Sequence, residues 1–261
     1  MIWHDCKESM MKLNCDMGES FGAWNMGDDA SVMPWINMAN IACGFHASDP
    51  TVMARTIALA KHHDVIIGAH PGYNDKEGFG RRPIPHTLDE ISHSVAYQVG
   101  ALDGLCRLNA VTITYVKPHG ALYNQMMQDP AIFEVIVSTI AKLNTARALP
   151  LSLMVLSRAN NEAYIQIAKQ KGVSLLFEAF ADRAYTTEGL LVPRHETGAV
   201  HHHPDLIKAQ VLQLAQGKVK TQSGKLLTLQ VDTICVHGDN PESIATIKEI
   251  ALLLQSANDN K

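Results

Sequence analysis

No stretch of the 261-residue chain approaches the ~20 uninterrupted apolar residues that a bilayer span requires, so no membrane-crossing helix is expected. Runs of lysine and arginine are also missing, and 22 Lys+Arg against 26 Asp+Glu give a formal net charge of −4. Neutralising a nucleic-acid backbone needs clustered cations, so nucleic acid is not an expected partner. Cysteine is scarce and unpaired in pattern: Cys6, Cys15, Cys43, Cys106 and Cys235 are widely spaced, without a CxxC. That suits reduced thiols in the cytoplasm and argues against a disulfide framework or a zinc ribbon. The first residues, MIWHDCKESMM, place Asp5, Lys7 and Glu8 where a signal peptide would need its apolar stretch. There is no GxxxxGK[ST] phosphate loop and no GxSxG elbow, and the isolated glycine pairs are too weak for a dinucleotide fingerprint. Charged residues are only 18% and hydrophobic ones 46%, which excludes disorder and leaves material for a large core.

Within that core-forming composition, apolar runs of strand length recur between helix-like segments, at 12–17, 37–43, 65–69, 112–117, 151–156, 174–179 and 229–236. Several are apolar at nearly every position, as parallel strands buried on both faces must be. Between them, Ile132, Ile136, Ile140 and Leu143 form one helical stripe, and Ile244, Ile247, Ala251 and Leu254 another. Asp49-Pro50, Asp129-Pro130 and Asn240-Pro241 each set a capping side chain before a proline at the first helical position. Repeated βα units imply a closed barrel or a doubly wound sheet. Residues 71–86 and 182–203 break the alternation and read as long functional loops, and 218–227 as a small hairpin turning through Gln222-Ser223-Gly224. Residues 1–261 are expected to form one domain, with residues 1–10 a loose extension.

Polar residues cluster where these strands end. The first strand carries Asn14 and Asp16 and runs into Glu19; the second carries Asn40 and leads to His46; the third leads to His70. The fourth ends at Lys117 and His119, the sixth at Glu178, Asp182 and Arg183, and the last at His237 and Asp239. Ligands of parallel α/β folds lie at the carboxyl ends of the strands, and only a barrel brings nearly all of those ends to one mouth. We therefore expect a seven-stranded (β/α)7 barrel of the TIM type. His70 and Lys117 each precede a proline, which favours extended backbone and sets both side chains at a strand exit.

Other features carry less. Arg81 and Arg82, in GFGRR, offer two guanidinium forks suited to a carboxylate, although paired surface arginines are as often solvated. The triplet His201, His202 and His203 resembles a metal site, but adjacent residues do not face one way, and Pro204-Asp205 opens a helix. Cys15 and Cys43 sit within apolar strands and are expected to be buried, inert thiols.

The segments LNCDMGESFGAW (13–24), ANIACGFHASDP (39–50), GAHPGYNDKEGFGRR (68–82), VKPHGALYN (116–124), EAFADRAY (178–185) and CVHGDNP (235–241) resemble the LamB/YcsF family, over residues 12 to 255. Ser48 departs from that pattern, standing where the family's HAGDP form has glycine. The resemblance implies a barrel related to the polysaccharide-deacetylase and glycoside-hydrolase superfamily. It also implies work with two partner subunits, B and C, that converts 5-oxoproline to L-glutamate at the expense of ATP.

A five-membered lactam is resonance-stabilised, so its opening needs both activation and energy. Phosphorylation of the amide oxygen by ATP would supply both, and the missing phosphate loop assigns much of the nucleotide handling to the partners. Asp16 with His46 or His70 is the expected general base. Lys117 and His119 would stabilise the oxyanion or phosphate, with Glu178 and His237 completing the catalytic set. Asn14, Asn40, Arg81, Arg82, Asp182, Arg183 and Asp239 are the expected substrate-binding residues. Both Asp16→Asn and Lys117→Met are expected to abolish activity while leaving the fold intact. A divalent metal is left open: the rival reading is a stand-alone metal-dependent amidohydrolase or deacetylase with Asp16, His46, His70 or His237 as ligands. A non-catalytic, metabolite-binding barrel is the third reading, which the density of ionisable strand ends disfavours.

Overall fold

The computed structural model describes residues 11–238 and 241–259. The expected extension over residues 1–10, the candidate Asp239 and the expected cap Asn240 lie outside the described residues.

In chain order the described strands are β1 (Lys12–Met17), β2 (Met38–Ala42), β3 (Ile66–His70), β4 (Ile113–Val116), β5 (Ser152–Leu156), β6 (Leu175–Phe180), β7 (Lys218–Lys220), β8 (Leu226–Thr228) and β9 (Thr233–Val236). The first six and β9 close a seven-stranded barrel in the order β1-β2-β3-β4-β5-β6-β9. Every neighbouring pair runs parallel, including the closure of β9 on β1 through Asn14 opposite Cys235. β7 and β8 form the expected hairpin, its turn closed by Thr221 N–H donating to Lys225 O at 2.9 Å. The expected strand at 229–236 begins only at Thr233. Its first residues serve the rim instead: Leu229 N–H bonds Gly217 O, and the Asp232 carboxylate accepts from Phe177 N–H at 2.7 Å.

The helices are α1 (Asp29–Val32), α2 (Pro50–His62), α3 (Leu88–Leu108), α4 (Gly120–Met126), α5 (Pro130–Asn144), α6 (Glu162–Gln170), α7 (Pro204–Leu214) and α8 (Pro241–Asp259). Their starts follow local chemistry. Asp49 accepts from Thr51 and Val52 N–H ahead of Pro50, and Asp129 accepts from Ala131 N–H ahead of Pro130. Thr87 and Glu90 form a reciprocal capping box on α3. The expected stripes face inward, with Ile136, Ile140, Ile247, Ala251 and Leu254 all buried.

Most of the core lies between the barrel and its helices. Inside the barrel, Met38, Tyr115 and Met154 pack with Ile66 and Leu176 as an apolar plug. Gly68 makes the plug possible: a Cβ there would lie 2.1 Å from the Tyr115 ring. Above the plug the interior turns polar, which raises the functional question.

Candidate functional site

Strand alternation sends Asn14 and Asp16 of β1 and Asn40 of β2 into the barrel, where water cannot reach the lower side chains. Their polar atoms are consequently paired with one another. Tyr115 Oη donates to Asn40 Oδ1 at 2.7 Å, Asn40 Nδ2 donates to Asn14 Oδ1 and Asp16 Oδ1, both at 2.8 Å, and Asn14 Nδ2 donates to Thr233 Oγ1 at 3.0 Å. Lys117, one residue past β4, drops its ammonium into this layer. Its Nζ lies 3.0 Å from Asp16 Oδ1, 2.7 Å from Glu178 Oε1 and 3.4 Å from Asn14 Oδ1. Tyr123 of α4 donates to the other Glu178 oxygen at 3.1 Å. Burial alone would push the Lys117 ammonium down, but the negative charges around it, Asp16 foremost, hold it well above the usual lysine range. Burial likewise opposes the Asp16 carboxylate, and His70 and Lys117 hold it well below the usual range. Asp16 is thus a fixed anion, too weak a base to take a proton from water unaided.

Three imidazoles stand beside it. His70, the last residue of β3, has Nδ1 2.7 Å from Lys117 O and Nε2 3.3 Å from Asp16 Oδ2. His119, the cap of α4, has Nε2 2.8 Å from Phe79 O and Nδ1 2.9 Å from His70 Nε2. His46 stacks on His119 with ring centroids 3.7 Å apart, and its Nε2 lies 3.6 Å from Glu19 Oε1. Burial foremost, then neighbouring histidines, lowers both His46 and His119, the latter to about 3. The loop 71–86 is what builds this group. Phe79 stands at φ 54, a strained conformation for a bulky residue, and from there turns its carbonyl to His119. Gly80 follows at φ 61, where a Cβ would meet His46 Cβ at 2.6 Å and His119 Cδ2 at 3.0 Å. The donor atoms of Glu19, His46, His70 and His119 all lie within 4.8 Å of one another, an arrangement able to hold a metal ion.

These groups border a cavity of about 1050 Å³ at the carboxyl end of the barrel. Asp16, His70, Arg81, Lys117, His119, Arg183 and His237 line it. His46 is buried beside it among the imidazoles. Other candidates fall elsewhere. Asn14 and Asn40, expected to touch substrate, are fully buried beneath the floor and do not line the cavity; Asn40 bonds Asp16, and Asn14 accepts from Asn40. Glu178 is equally buried and serves as counter-ion to Lys117. Arg82 turns to Asp75, to which its Nε donates at 3.0 Å, and so ties the loop instead of reaching the cavity. The Arg183 guanidinium donates to Val192 O and Ala199 O, fastening the long loop 182–203 to the barrel. Asp182 sits 2.9 Å from His237 Nδ1, and that contact holds its carboxyl low against the opposing effect of burial. The triplet His201 to His203 lies on the surface at the start of α7, with His203 as its cap.

Sequence reasoning gave several lining residues no role. Glu19 stands among the polar strand-end residues but lies beyond the strand itself, where alternation no longer assigns a face. Tyr123 follows His119 by one helical turn, a usable signal. Asp29, Arg194 and His195 also line the cavity; the last two come from the aperiodic loop, which gives no pattern to read. Ser48 stands at φ 72, which accounts for the glycine expected there.

A closed parallel barrel with ionisable side chains gathered at the carboxyl ends of its strands is the architecture of TIM-like barrel enzymes. The model of the LamB/YcsF family matches residues 11–260, and the chain belongs to that family. It is 57% identical over 240 residues to the 5-oxoprolinase A subunit of Vibrio vulnificus (strain CMCP6), covering 92% of this chain and 95% of that protein. With the 5-oxoprolinase A subunit of Pseudomonas fluorescens (strain Pf0-1) it shares 51% identity over 252 residues, 95% of this chain and 99% of that protein. Among solved structures it is similar to the lactam utilization protein from Thermus thermophilus, with TM-score 0.85 and 34% identity over 94% of this chain and 97% of that one. A GH113 β-mannanase from Alicyclobacillus acidocaldarius, at 11% identity and TM-score 0.53 over 95% of this chain and 96% of that one, shares the fold alone. Among the described residues no helix is long and apolar enough to cross a membrane.

Proposed function

We propose that the chain, as one barrel domain, is the A subunit of a cytoplasmic ATP-dependent 5-oxoprolinase. With subunits B and C it opens the lactam of 5-oxoproline to L-glutamate. The observation that carries this reading is that the segments shared with the family supply the cavity: Asp16, Glu19, His70, Lys117, His119 and His237 all come from them. The names of the near relatives and of the Thermus protein point to the same substrate class. Free, buried cysteines among the described residues suit the reducing compartment.

In the chemistry that fits, ATP phosphorylates the lactam oxygen and releases ADP. Water then adds to the activated carbon, its proton passing to an imidazole. The C–N bond breaks, freeing the amine and leaving an acyl phosphate, from which a second water displaces phosphate. His237, an imidazole on the cavity wall oriented at Nδ1 by Asp182, is the residue suited to accept the proton. Asp16, held ionised by Lys117, would steady the imidazolium that forms. Arg81, exposed at the rim over the Phe79 ring, would take the substrate carboxylate. Lys117 is tied between two carboxylates and acts on Asp16 instead of on an oxyanion. The test is glutamate release from 5-oxoproline plus ATP by this chain alone, by B with C, and by all three. Release that needs all three is expected. Equal release by B with C alone would end the proposal.

A further inference from the structure

We infer that Glu19, His46, His70 and His119 form a binding site for one divalent cation of the zinc class. The site is independent of the lactam reading, because it follows from how the protons of these rings are fixed. A carbonyl only accepts, so the 2.7 Å contact from His70 Nδ1 to Lys117 O puts the proton on Nδ1. By the same reasoning the 2.8 Å contact to Phe79 O puts the His119 proton on Nε2. The two remaining nitrogens, His70 Nε2 and His119 Nδ1, each present a lone pair, and they face one another at 2.9 Å. Lone pairs at that distance repel unless a proton or a metal ion takes both. A proton there would be shared with Asp16 Oδ2, 3.3 Å from His70 Nε2, and would leave His46 without a partner, whereas one ion serves all three rings.

His46 supplies the independent observation. Its side chain is wholly buried, yet neither ring nitrogen has a hydrogen-bond partner, which is unfavourable for a polar group closed off from water. Nε2 instead faces Glu19 Oε1 at 3.6 Å, within the same cluster of donors. Three imidazoles and a carboxylate are a donor set for zinc, cobalt or nickel, whereas magnesium and calcium prefer oxygen. The carbonyls behind His70 and His119 are the outer partners that orient metal-bound imidazoles. An imidazole donates in its own plane, so the parallel stack of His46 and His119 would have to tilt for one ion to meet both rings. Glu19, His70 and His119 border the cavity, so a bound ion would offer a Lewis acid to a substrate oxygen there. The set differs from the one expected from sequence: Glu19 and His119 replace Asp16 and His237, and His237 Nδ1 is engaged by Asp182.

The experiment uses the full chain, stripped with a chelator and titrated with Zn2+ by calorimetry and with Co2+ by visible absorption. One ion per chain is expected, with cobalt bands of a four- or five-coordinate nitrogen-rich site. His46→Ala and His119→Ala should each weaken binding at least 100-fold. Glu19→Gln, which keeps the side chain's shape at the cavity border, should weaken it at least 10-fold. The surface variant H201A/H202A/H203A should bind as the parent does. Binding that survives in His119→Ala and Glu19→Gln, or that disappears in the surface variant, overturns the site, as does a chain that takes up no ion. Since the readout is metal uptake by the chain alone, failure of 5-oxoproline turnover leaves it intact.

Discussion

Replacing Lys117 by methionine keeps the aliphatic stem and removes the charge that two buried carboxylates share. Asp16 and Glu178 lie 3.0 and 2.7 Å from the ammonium, and the Glu178 side chain is 0% exposed. Breaking a buried pair from one side typically costs ~3–5 kcal/mol, because the surviving charge is left uncompensated. The cheapest escape is protonation of one carboxyl. From a reference pKa of ~4.3 for glutamate, that costs about 2.7 × 1.36, or ~4 kcal/mol, at pH 7. Two independent routes thus give a similar figure. At ~2–4 °C per kcal/mol for a chain of this size, Tm should fall by roughly 8–16 °C at pH 7. The sign of the pH dependence follows from linkage: the folded variant binds a proton that its unfolded chain does not, so its deficit shrinks as pH falls, to ~1 kcal/mol near pH 5. Removing both partners, as in K117M/E178Q, should recover most of the lost Tm at pH 7. Differential scanning calorimetry of parent, single and double variants at pH 7 and pH 5 decides the matter. A single variant within about 3 °C of the parent at pH 7, or an equal deficit at both pH values, refutes the reasoning. The strand-end position alone suggested a fold left intact; the ion network argues the opposite.

Asp16→Asn should behave differently, because an amide oxygen can still accept from Asn40 and Lys117 while the charge beside His70 is gone. We expect turnover in the three-subunit assay to drop by ~10²-fold with Tm changed by only a few degrees; normal turnover would remove Asp16 from the chemistry. Ser48→Gly should relieve a left-handed residue and raise Tm by roughly 2–4 °C, for ~1 kcal/mol of strain; a lower Tm would show that Ser48 contributes contacts worth more than its conformation costs. Burial pushes the Cys43 thiol up to about 12, so it stays protonated and should resist alkylation in the folded protein at pH 8. Labelling of Cys43 as fast as in urea would contradict this.

Much of the barrel was decided by local pattern. Seven apolar runs, helix caps at Asp49 and Asp129, and the hairpin at 218–227 are short-range consequences of side-chain periodicity and turn chemistry, and all recur in the structure, the last run only from Thr233. The strand-end positions of Asp16, His70, Lys117 and His237 were legible for the same reason, because a parallel strand delivers its last side chains to one rim. What each polar residue does there was settled only by closure. Asn14, Asn40 and Glu178 look like ligands along the chain, but the barrel interior is narrow enough that they must satisfy Asp16 and Lys117 instead of a substrate. Arg82 and Arg183 look like anion clamps, but backbone and carboxylate partners far along the chain claim their guanidinium groups. Glu19 joins His46, His70 and His119 across four separate segments, and no spacing in the sequence encodes that proximity. Period and capping act over a few residues and can be read from the chain, whereas the pairing of buried polar groups is a property of the closed barrel, where each must find a partner from another strand.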